Sequence, residues 1–156
     1  MRSIRPPQTW CIVQTLQKIH YDMFCDVWDW AGKFRQTQTS IGVKAYTIPT
    51  ELSLLCKEVN FWYSDDCELA LMEQAVRFHH RLVFIHPFPN GNGRFARLLS
   101  DRYLKAFNYR FPTWPRDLEE TSPNRSAYIA ALKDADLGSF DALQAFFKVH
   151  GAKALN

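Results

Sequence analysis

The stretch HPFPNGNGRFAR, residues 86–97, places one histidine, two asparagines, two glycines and two arginines within twelve positions. Apolar residues recur every three or four positions before it, from about Asp65 to Ile85, and again after it, from Asn92 to Phe107. This spacing is typical of two amphipathic helices, and the two prolines of the stretch prevent them from joining. The sequence therefore predicts two helices with a short polar loop between them.

The glycines of this loop mark the start of the second predicted helix. Backbone N–H groups in the first turn of a helix have no intrahelical partner, and the helix dipole adds partial positive charge there. Gly91 and Gly93 would let an anion approach the backbone closely, and the Asn92 amide could donate a further hydrogen bond. The pattern predicts a phosphate-binding site.

Three ionisable side chains flank this predicted site. Arg94 and Arg97 are three residues apart, so both project from one helical face and could hold further phosphate oxygens. His86, at the other end of the loop, has an ordinary pKa near 6.5 and is a candidate general base. Together they indicate activation of a hydroxyl for attack on phosphorus.

Simpler readings exist for each feature taken alone. A Gly-Asn-Gly run between helices is often only a tight turn, and Arg97 could pair with Asp101 one turn later. A single histidine after an apolar helix is more often structural than catalytic. His20, His79 and His80 are expected to be structural, since adjacent histidines on a helix point about 100° apart and do not easily share a metal ion.

The rest of the chain predicts four more helices. The first runs from Trp10 to Trp30 with Gly32 at its end, the second begins at Pro49, the next opens at Pro123, and the last begins at Ser139 as N-cap. The segment 32–49 lacks a helical period and alternates around Ile41 to Ile48, which favours a short β-hairpin or an extended flap. We expect an all-α domain with one hairpin.

Composition narrows the class of protein. With 156 residues, 47% of them apolar, the chain is long enough for one domain, residues 1–156, with a full core. A net charge of +3 gives no footprint of nucleic-acid binding. Four dispersed cysteines predict free thiols. The start, MRSIRPPQTW, carries no signal-peptide pattern and no stretch could span a membrane, so we expect a soluble, cytoplasmic protein.

These residues resemble a known family. HPFPNGNGRFAR is similar to the signature of Fic-domain proteins, His-Pro-Phe-x-(Asp/Glu)-Gly-Asn-Gly-Arg-x-x-Arg, and departs from it at one fixed position. VWDWAGKFR, residues 27–35, resembles the family segment that leads into its flap, and RSAYIAAL, residues 125–132, resembles a C-terminal helix of the family. The run HPFPNGNGR is most similar to the subgroup called mobile mystery protein B.

The resemblance implies a compact helical bundle with a β-hairpin flap over the active-site loop. It implies transfer of AMP from ATP to a Ser, Thr or Tyr hydroxyl of a target protein. By position, His86 would be the general base, Gly91, Asn92 and Gly93 the anion hole, and Arg94 and Arg97 the ligands of the outer phosphates. Phe88 would fix the loop in the core, and Tyr128 would be a weaker candidate for lining the base pocket.

The resemblance also implies partners. The flap, which contains Ile41, Gly42, Val43, Lys44 and Tyr46, would bind an extended target segment through main-chain hydrogen bonds. Many family members carry an inhibitory helix with (Ser/Thr)-x-x-x-Glu-(Gly/Asn), and no match occurs in this sequence. This leaves either a separate inhibitory protein, as for a toxin-like enzyme, or an unregulated domain. The oligomeric state stays open.

Asn90 is the departure from the family signature. An Asp or Glu at this position would hold the Mg²⁺ or Mn²⁺ that accompanies ATP, and an amide oxygen is a poorer ligand for such a cation. Three outcomes fit the substitution: a slower transferase, a transferase of another phosphate-linked group or with another metal, and a binding module that has kept the anion site and lost the chemistry.

Overall fold

The computed structural model describes residues 5–110 and 112–149, and this part of the chain is helical. The six α-helices are α1 (Val13–Phe24), α2 (Ile48–Trp62), α3 (Leu71–Ile85), α4 (Asn92–Ala106), α5 (Pro123–Asp136) and α6 (Asp141–Val149). Short 3₁₀ turns, Pro7–Thr9 and Ala45–Thr47, precede α1 and α2. The expected all-α class is confirmed. Across the described ranges, no helix combines the length and apolarity needed to cross a bilayer.

The core is built around α3, which packs against α2, α4, α5 and α6. Its apolar face, at Phe78, Leu82 and Ile85, is fully buried, as are Phe95 and Leu99 of α4. The four cysteines are free thiols, as expected. Because α3 and α4 are the central elements, the loop that joins them, residues 86–91, starts and ends on the most buried part of the fold.

Helix α1 is shorter than the sequence pattern indicates, because it ends at Phe24. The N–H groups of Val27 and Trp28 both donate to the Phe24 carbonyl at 2.9 Å, which closes a tight turn in place of another helical turn. Beyond it, the rings of Trp28 and Trp30 stack with centroids 4.5 Å apart. Apolar spacing continued to Trp30 because these rings join an aromatic cluster, not because the helix continues.

Two further helices start later than expected. Helix α3 begins at Leu71, after a turn in which Gln74 Nε2 donates to the Leu69 carbonyl at 2.8 Å. Helix α6 begins at Asp141, because the Ser139 N–H donates to the Asp134 carbonyl at 3.0 Å and so belongs to the end of α5. Residues 150–156, which the sequence pattern assigns in part to α6, lie outside the described residues.

The expected β-hairpin is not formed. Residues 33–44, here called the flap segment, form an extended loop. Two of its backbone N–H groups donate to carbonyls at the end of α3 and just after it. The Arg35 N–H donates to the Pro87 carbonyl at 3.0 Å and the Val43 N–H to the Ile85 carbonyl at 3.3 Å. These donors are therefore bonded to residues outside the segment and do not pair its two limbs.

Candidate active site

His86 ends α3 in an unusual backbone conformation. Its φ of 51° and ψ of 61° are left-handed, and its N–H donates to the Leu82 carbonyl at 3.2 Å. Its carbonyl accepts a hydrogen bond from Arg35 Nε at 2.6 Å. Burial, and second the charge of Arg35, hold the pKa of His86 below its usual value. The imidazole is therefore neutral near pH 7, the form that can accept a proton.

The motif loop, residues 86–93, is anchored by Phe88 and Asn92. Phe88 is fully buried, as expected, and its ring stacks on His20 with centroids 3.7 Å apart. Asn92 Nδ2 donates to the Phe88 carbonyl at 2.8 Å, and Asn92 Oδ1 accepts from the Phe88 N–H at 3.0 Å. The Asn92 side chain, which is buried, thus closes the loop on itself, so the amide that was expected to contact an anion also has a structural task.

His20 supports the same loop from α1. The Gly32 N–H can only donate, and it lies 2.9 Å from His20 Nδ1, so this nitrogen is the acceptor. His20 Nε2 therefore carries the proton and donates to the Asn90 carbonyl at 3.1 Å. Burial lowers the pKa of His20, which favours this neutral form. A histidine that the sequence predicted to be structural thus fixes the main chain next to the Gly-Asn-Gly run of the motif.

The two glycines of the motif face different surroundings. Gly91 has a φ of +78°, and a Cβ added to it would lie 2.7 Å from the Phe24 ring, so close packing alone requires glycine there. A Cβ on Gly93 would lie 3.2 Å from Arg97 Nη1. Only the second glycine therefore opens the backbone toward the arginine that lines the cavity.

Arg94 and Arg97 share one helical face but have different partners. Arg97 is mostly buried and pairs with the carboxylate of Glu119, from the loop between α4 and α5. Arg94 lies over the Phe24 and Trp28 rings, at 4.7 Å and 5.5 Å, and its Nε is 3.9 Å from Glu119 Oε2. One carboxylate thus faces both arginines.

The sequence left open a pairing of Arg97 with Asp101, and the structure does not have it. Asp101 accepts a hydrogen bond from Trp114 Nε1 at 2.9 Å, and burial raises the pKa of Asp101 to about 6. This contact ties the α4–α5 loop to α4, one turn beyond the arginine. Arg97 is left to face Glu119 and the cavity.

Tyr128 is held in place by His79. The hydroxyl of Ser100 donates to the Ala96 carbonyl at 2.7 Å, so it accepts from His79 Nδ1 at 3.0 Å, and His79 Nε2 accepts from the Tyr128 hydroxyl at 2.7 Å. Burial lowers the pKa of His79 to about 3 and raises that of Tyr128 to about 12. Both groups stay uncharged near pH 7, and the Tyr128 ring lies 5.8 Å from the Arg97 guanidinium.

The histidines of α3 and the Asn90 side chain, as the structure places them, do not fit a resident metal ion. His80 pairs with Asp136 at 2.7 Å and His79 with Tyr128, so the two histidines face different partners. Within residues 5–110 and 112–149, no three His, Cys, Asp or Glu side chains are grouped as metal ligands would be. Asn90 Oδ1, the weak metal candidate, accepts from the Gly91 N–H at 2.7 Å and is a neutral oxygen.

A cavity of about 610 Å³ brings most of the candidate residues together. The wall formed by the motif and the flap segment contains Ile41, Gly42, His86, Asn90, Gly91, Asn92, Gly93 and Arg97, and Tyr128 lines the opposite side on α5. Arg94, Val43, Lys44 and Tyr46 do not line it. Tyr46 is 79% exposed, and Val43 has both main-chain groups bonded inward.

Three site residues have contacts with the motif that their local sequence does not indicate. Glu119 lies in the loop between α4 and α5, and its neighbours in sequence do not indicate a partner 22 residues earlier. Arg35 and His20 act on the motif loop across 51 and 70 residues of sequence. Position-specific patterns near the motif could not have found them, because their contacts are set by tertiary packing.

Comparison with known proteins identifies the family. A sequence model described as Fic/DOC family matches residues 10–104, which include the motif. Protein adenylyltransferase fic-1 of Caenorhabditis elegans is 34% identical over 110 residues, and protein adenylyltransferase Fic of Drosophila grimshawi is 34% identical over 109. Each alignment covers 69% of this chain, which spans about a fifth of those relatives' length.

Solved structures share the fold. The Fic-1 fragment from C. elegans has a TM-score of 0.73 at 24% identity, covering 88% of this chain and 40% of that one. BepC from Bartonella tribocorum, solved with bound AMPPNP, has a TM-score of 0.70 at 22% identity, covering 97% and 79%. The narrower subgroup, mobile mystery protein B, stays a prediction. The protein described here belongs to the Fic/DOC family.

Proposed function

We propose that this chain is a protein adenylyltransferase that moves AMP from ATP to a Ser, Thr or Tyr hydroxyl of a target protein. One observation carries the proposal: neutral His86 and the first turn of α4 line the same cavity, and Arg97 and Tyr128 line it as well. A base beside an anion-binding helix N-terminus suits activation of a hydroxyl for attack on phosphorus. The relatives named as adenylyltransferases support the nucleotide and the group transferred.

The proposed step forms one bond to the α-phosphorus of ATP and breaks another. The target hydroxyl oxygen attacks the α-phosphorus while its proton passes to the His86 imidazole. The bond from the α-phosphorus to the oxygen that bridges the α- and β-phosphates breaks, and pyrophosphate leaves. His86 then releases its proton to solvent. The backbone N–H groups of residues 92–94 and the Arg97 guanidinium would stabilise the charge on the phosphate oxygens, with Arg94 as a second cation behind them.

Glu119 must give way to the nucleotide in this scheme. Its carboxylate pairs with Arg97 and faces Arg94, so it occupies the cations that would hold the phosphates. The Glu119 side chain is about half exposed, which leaves it room to turn toward solvent. Phosphates carry more charge than one carboxylate and would compete well for a planar guanidinium.

Mg²⁺ or Mn²⁺ would enter as part of the substrate, bound to the phosphates of ATP. Asn90 could offer such a cation only one neutral oxygen, Oδ1, which already accepts a hydrogen bond from the Gly91 N–H. We therefore place the cation on the nucleotide rather than on this chain. The Asn90→Asp variant tests whether this chain binds the cation, since a carboxylate at that position should make the labelling reaction depend more strongly on Mg²⁺ or Mn²⁺.

The target is proposed to dock beside the flap segment. Ile41 is more than half exposed and Gly42 also lines the cavity, so these two residues are placed to meet an extended segment. Val43 is bonded inward through both main-chain groups and would not pair with it. A separate inhibitory protein and a cytoplasmic location are further proposals, and nucleic acid and membrane are not expected partners.

A non-catalytic binding module is the second candidate, and Asn90 together with the Glu119–Arg97 pair favours it. In this reading, the cavity would bind a nucleotide without turnover. A transferase of another phosphate-linked group is a variant of the first proposal, because His86 and Arg97 would serve any such group.

Labelling with ATP separates these candidates. Lysate and Mg²⁺ or Mn²⁺ are mixed with the protein and with ATP radiolabelled at the α- or the γ-phosphate, and His86→Ala and Asn90→Asp are run in parallel. Protein-bound α-label that His86→Ala abolishes is the expected result. Label from the γ-phosphate alone would contradict AMP transfer, and binding of ATP without label in any variant would favour the binding module.

A further inference from the structure

Arg35 is a buried cation with an unusual set of partners. It is 3% exposed, and its guanidinium donates to four backbone carbonyls: His86 at 2.6 Å, Thr37 at 3.1 Å, Ile85 at 3.3 Å and Val43. Among the described residues, no carboxylate pairs with it. Buried charges are usually paired with an opposite charge. Four fixed carbonyls in place of an acid suggest that the geometry of those carbonyls is what this residue controls.

The four carbonyls belong to two parts of the molecule that meet at the cavity. Ile85 and His86 are the last residue of α3 and the first of the motif loop, while Thr37 and Val43 lie on the two limbs of the flap segment. A planar fork with donors fixed in direction can hold both parts in one register, which a flexible ammonium cannot.

His86 depends on the contacts that Arg35 makes with its backbone, because within the described ranges the His86 ring has no hydrogen bond at Nδ1 to fix it. Nδ1 of His86 is buried and has no hydrogen-bond partner in the part of the chain described. Its left-handed backbone is sparsely populated for a residue with a Cβ. A Cβ added to Gly42 would lie 2.7 Å from the His86 Cβ and 2.6 Å from Arg35 Nη2, so flap segment, base and guanidinium are in direct contact.

We propose that Arg35 is the positioning residue for His86, holding the histidine backbone and the flap segment in a single arrangement through its four carbonyl contacts. The inference rests on the proposed function only in treating His86 as the base. Arg35 does not line the cavity and acts through the backbone of residues that do.

The charge of Arg35 gives the same residue a second effect, on the protonation of His86. The other charged groups around the cavity are Arg97, Arg125, Lys133, Glu119 and Asp136, with His80 on the α3 wall. The charge of Arg35, and none of these cavity groups, contributes to the lowered pKa of His86, where it comes second after burial. Removing the charge should therefore raise the pKa of His86, whereas removing only the fork should not.

Two variants separate the charge from the fork. Arg35→Met removes both, and Arg35→Lys keeps the charge but loses the planar geometry. Arg35→Gln, which is neutral but can still donate to carbonyls, stands beside Arg35→Met in case the latter unfolds. The matched control is Lys33→Met, which removes one exposed cation two residues away. Each variant is checked by thermal unfolding, and the His86 pKa is measured by NMR of histidine-labelled protein, with His86→Gln to assign the signal.

We expect the pKa of His86 to rise in Arg35→Met and Arg35→Gln and to stay near the wild-type value in Arg35→Lys and Lys33→Met. Transfer of AMP should fall by about tenfold or more in all three Arg35 variants, through kcat, because the base is misplaced. Wild-type transfer by Arg35→Lys would overturn the positioning role, and a wild-type His86 pKa in the folded neutral variants would overturn the separate effect of the Arg35 charge.

The NMR measurement also keeps the two proposals apart. If the wild-type protein transfers no AMP, the proposed function fails, yet the titration still reports on Arg35. In that case, His86 ring shifts that move in Arg35→Lys, with its pKa unchanged, support positioning by the fork. Ring shifts identical to wild type in Arg35→Lys would refute it.

Discussion

The motif loop and the flap segment form neighbouring walls of one cavity and are held in opposite ways. The motif loop buries Phe88 and Asn92, and side chains from α1, α4 and the flap segment hold its backbone. The flap segment exposes most of its residues and is tied to the fold chiefly through Arg35. The motif loop is thus fixed from several directions, while the flap segment, beside which a target is proposed to dock, is held at its two ends by Arg35 and by the Val43 N–H.

The sharpest test of this contrast compares one apolar residue of the motif loop with one of the flap segment. Phe88→Ala should lower the free energy of unfolding by about 3–5 kcal/mol, because it leaves a cavity beside His20 in a fully packed site. Ile41→Ala, at a flap-segment side chain that is 57% exposed, should change it by less than about 0.5 kcal/mol. Urea unfolding measures both, and similar losses in the two variants would abolish the distinction.

The Asn92 clamp should show the next largest effect. Asn92→Ala leaves the buried N–H and carbonyl of Phe88 without their partner, which should cost about 1–3 kcal/mol of stability. Asn124→Ala, at an exposed asparagine that bonds Asp117, is the control and should cost far less. Chemical denaturation compares the two, and a clamp variant as stable as the control would show that the loop does not need its internal hydrogen bonds.

Acid should loosen the motif loop through its histidine support. In the folded protein, burial lowers the pKa of His20, whereas an unfolded histidine titrates near 6.5. Below about pH 6.5, the unfolded chain therefore binds more protons, and stability falls by up to about 1.4 kcal/mol per pH unit until the folded pKa is reached. Above pH 6.5 this histidine contributes no pH dependence.

The measurement compares wild type with His20→Gln, whose amide can both donate and accept but does not titrate. Other groups also contribute, since burial lowers the pKa of His79 to about 3 and raises that of Asp101 to about 6, with opposite effects on stability. The difference between the two proteins isolates His20. Equal slopes of unfolding free energy against pH would count against its role in the loop.

The smallest expected effect concerns Glu119. Glu119→Gln removes the charge that competes for Arg97, so affinity for ATP should rise roughly 2- to 5-fold, the value of a partly exposed ion pair. Glu120→Gln, an exposed neighbour, should leave the affinity unchanged. Calorimetric titration with ATP measures both. Weaker binding in Glu119→Gln would mean that this carboxylate helps to hold the nucleotide.

The sequence predicted the parts of the fold that repeat locally. The apolar spacing of α3 and α4, the loop between them and the helix opened by Pro123 could be placed, because each depends on neighbouring residues. The end of α1 could not, since the rings of Trp28 and Trp30 continue its apolar spacing after the helix has turned. The hairpin was wrong because backbone donors of the flap segment bond to α3 and the motif loop.

In the candidate site, too, the residues of one local motif could be predicted and the contacts between distant residues could not. His86, Asn92 and Arg97 were predicted because the motif carries them together, and the structure places them around one cavity, while their roles stay predictions. The contact of Glu119 with Arg97 and the hold of His20 and Arg35 on the loop join residues far apart in the chain. Such contacts follow from the packing of helices, which no local pattern encodes.

Gly91 has a consequence for how the family signature is interpreted. Because the Phe24 ring lies where its Cβ would be, a library of variants selected for folding alone would retain glycine at this position. Selection for nucleotide turnover would in addition have to preserve Gly93 and Arg97, which line the cavity together with Gly91. Packing alone is thus enough to retain the first glycine, so its presence in a variant does not by itself indicate turnover.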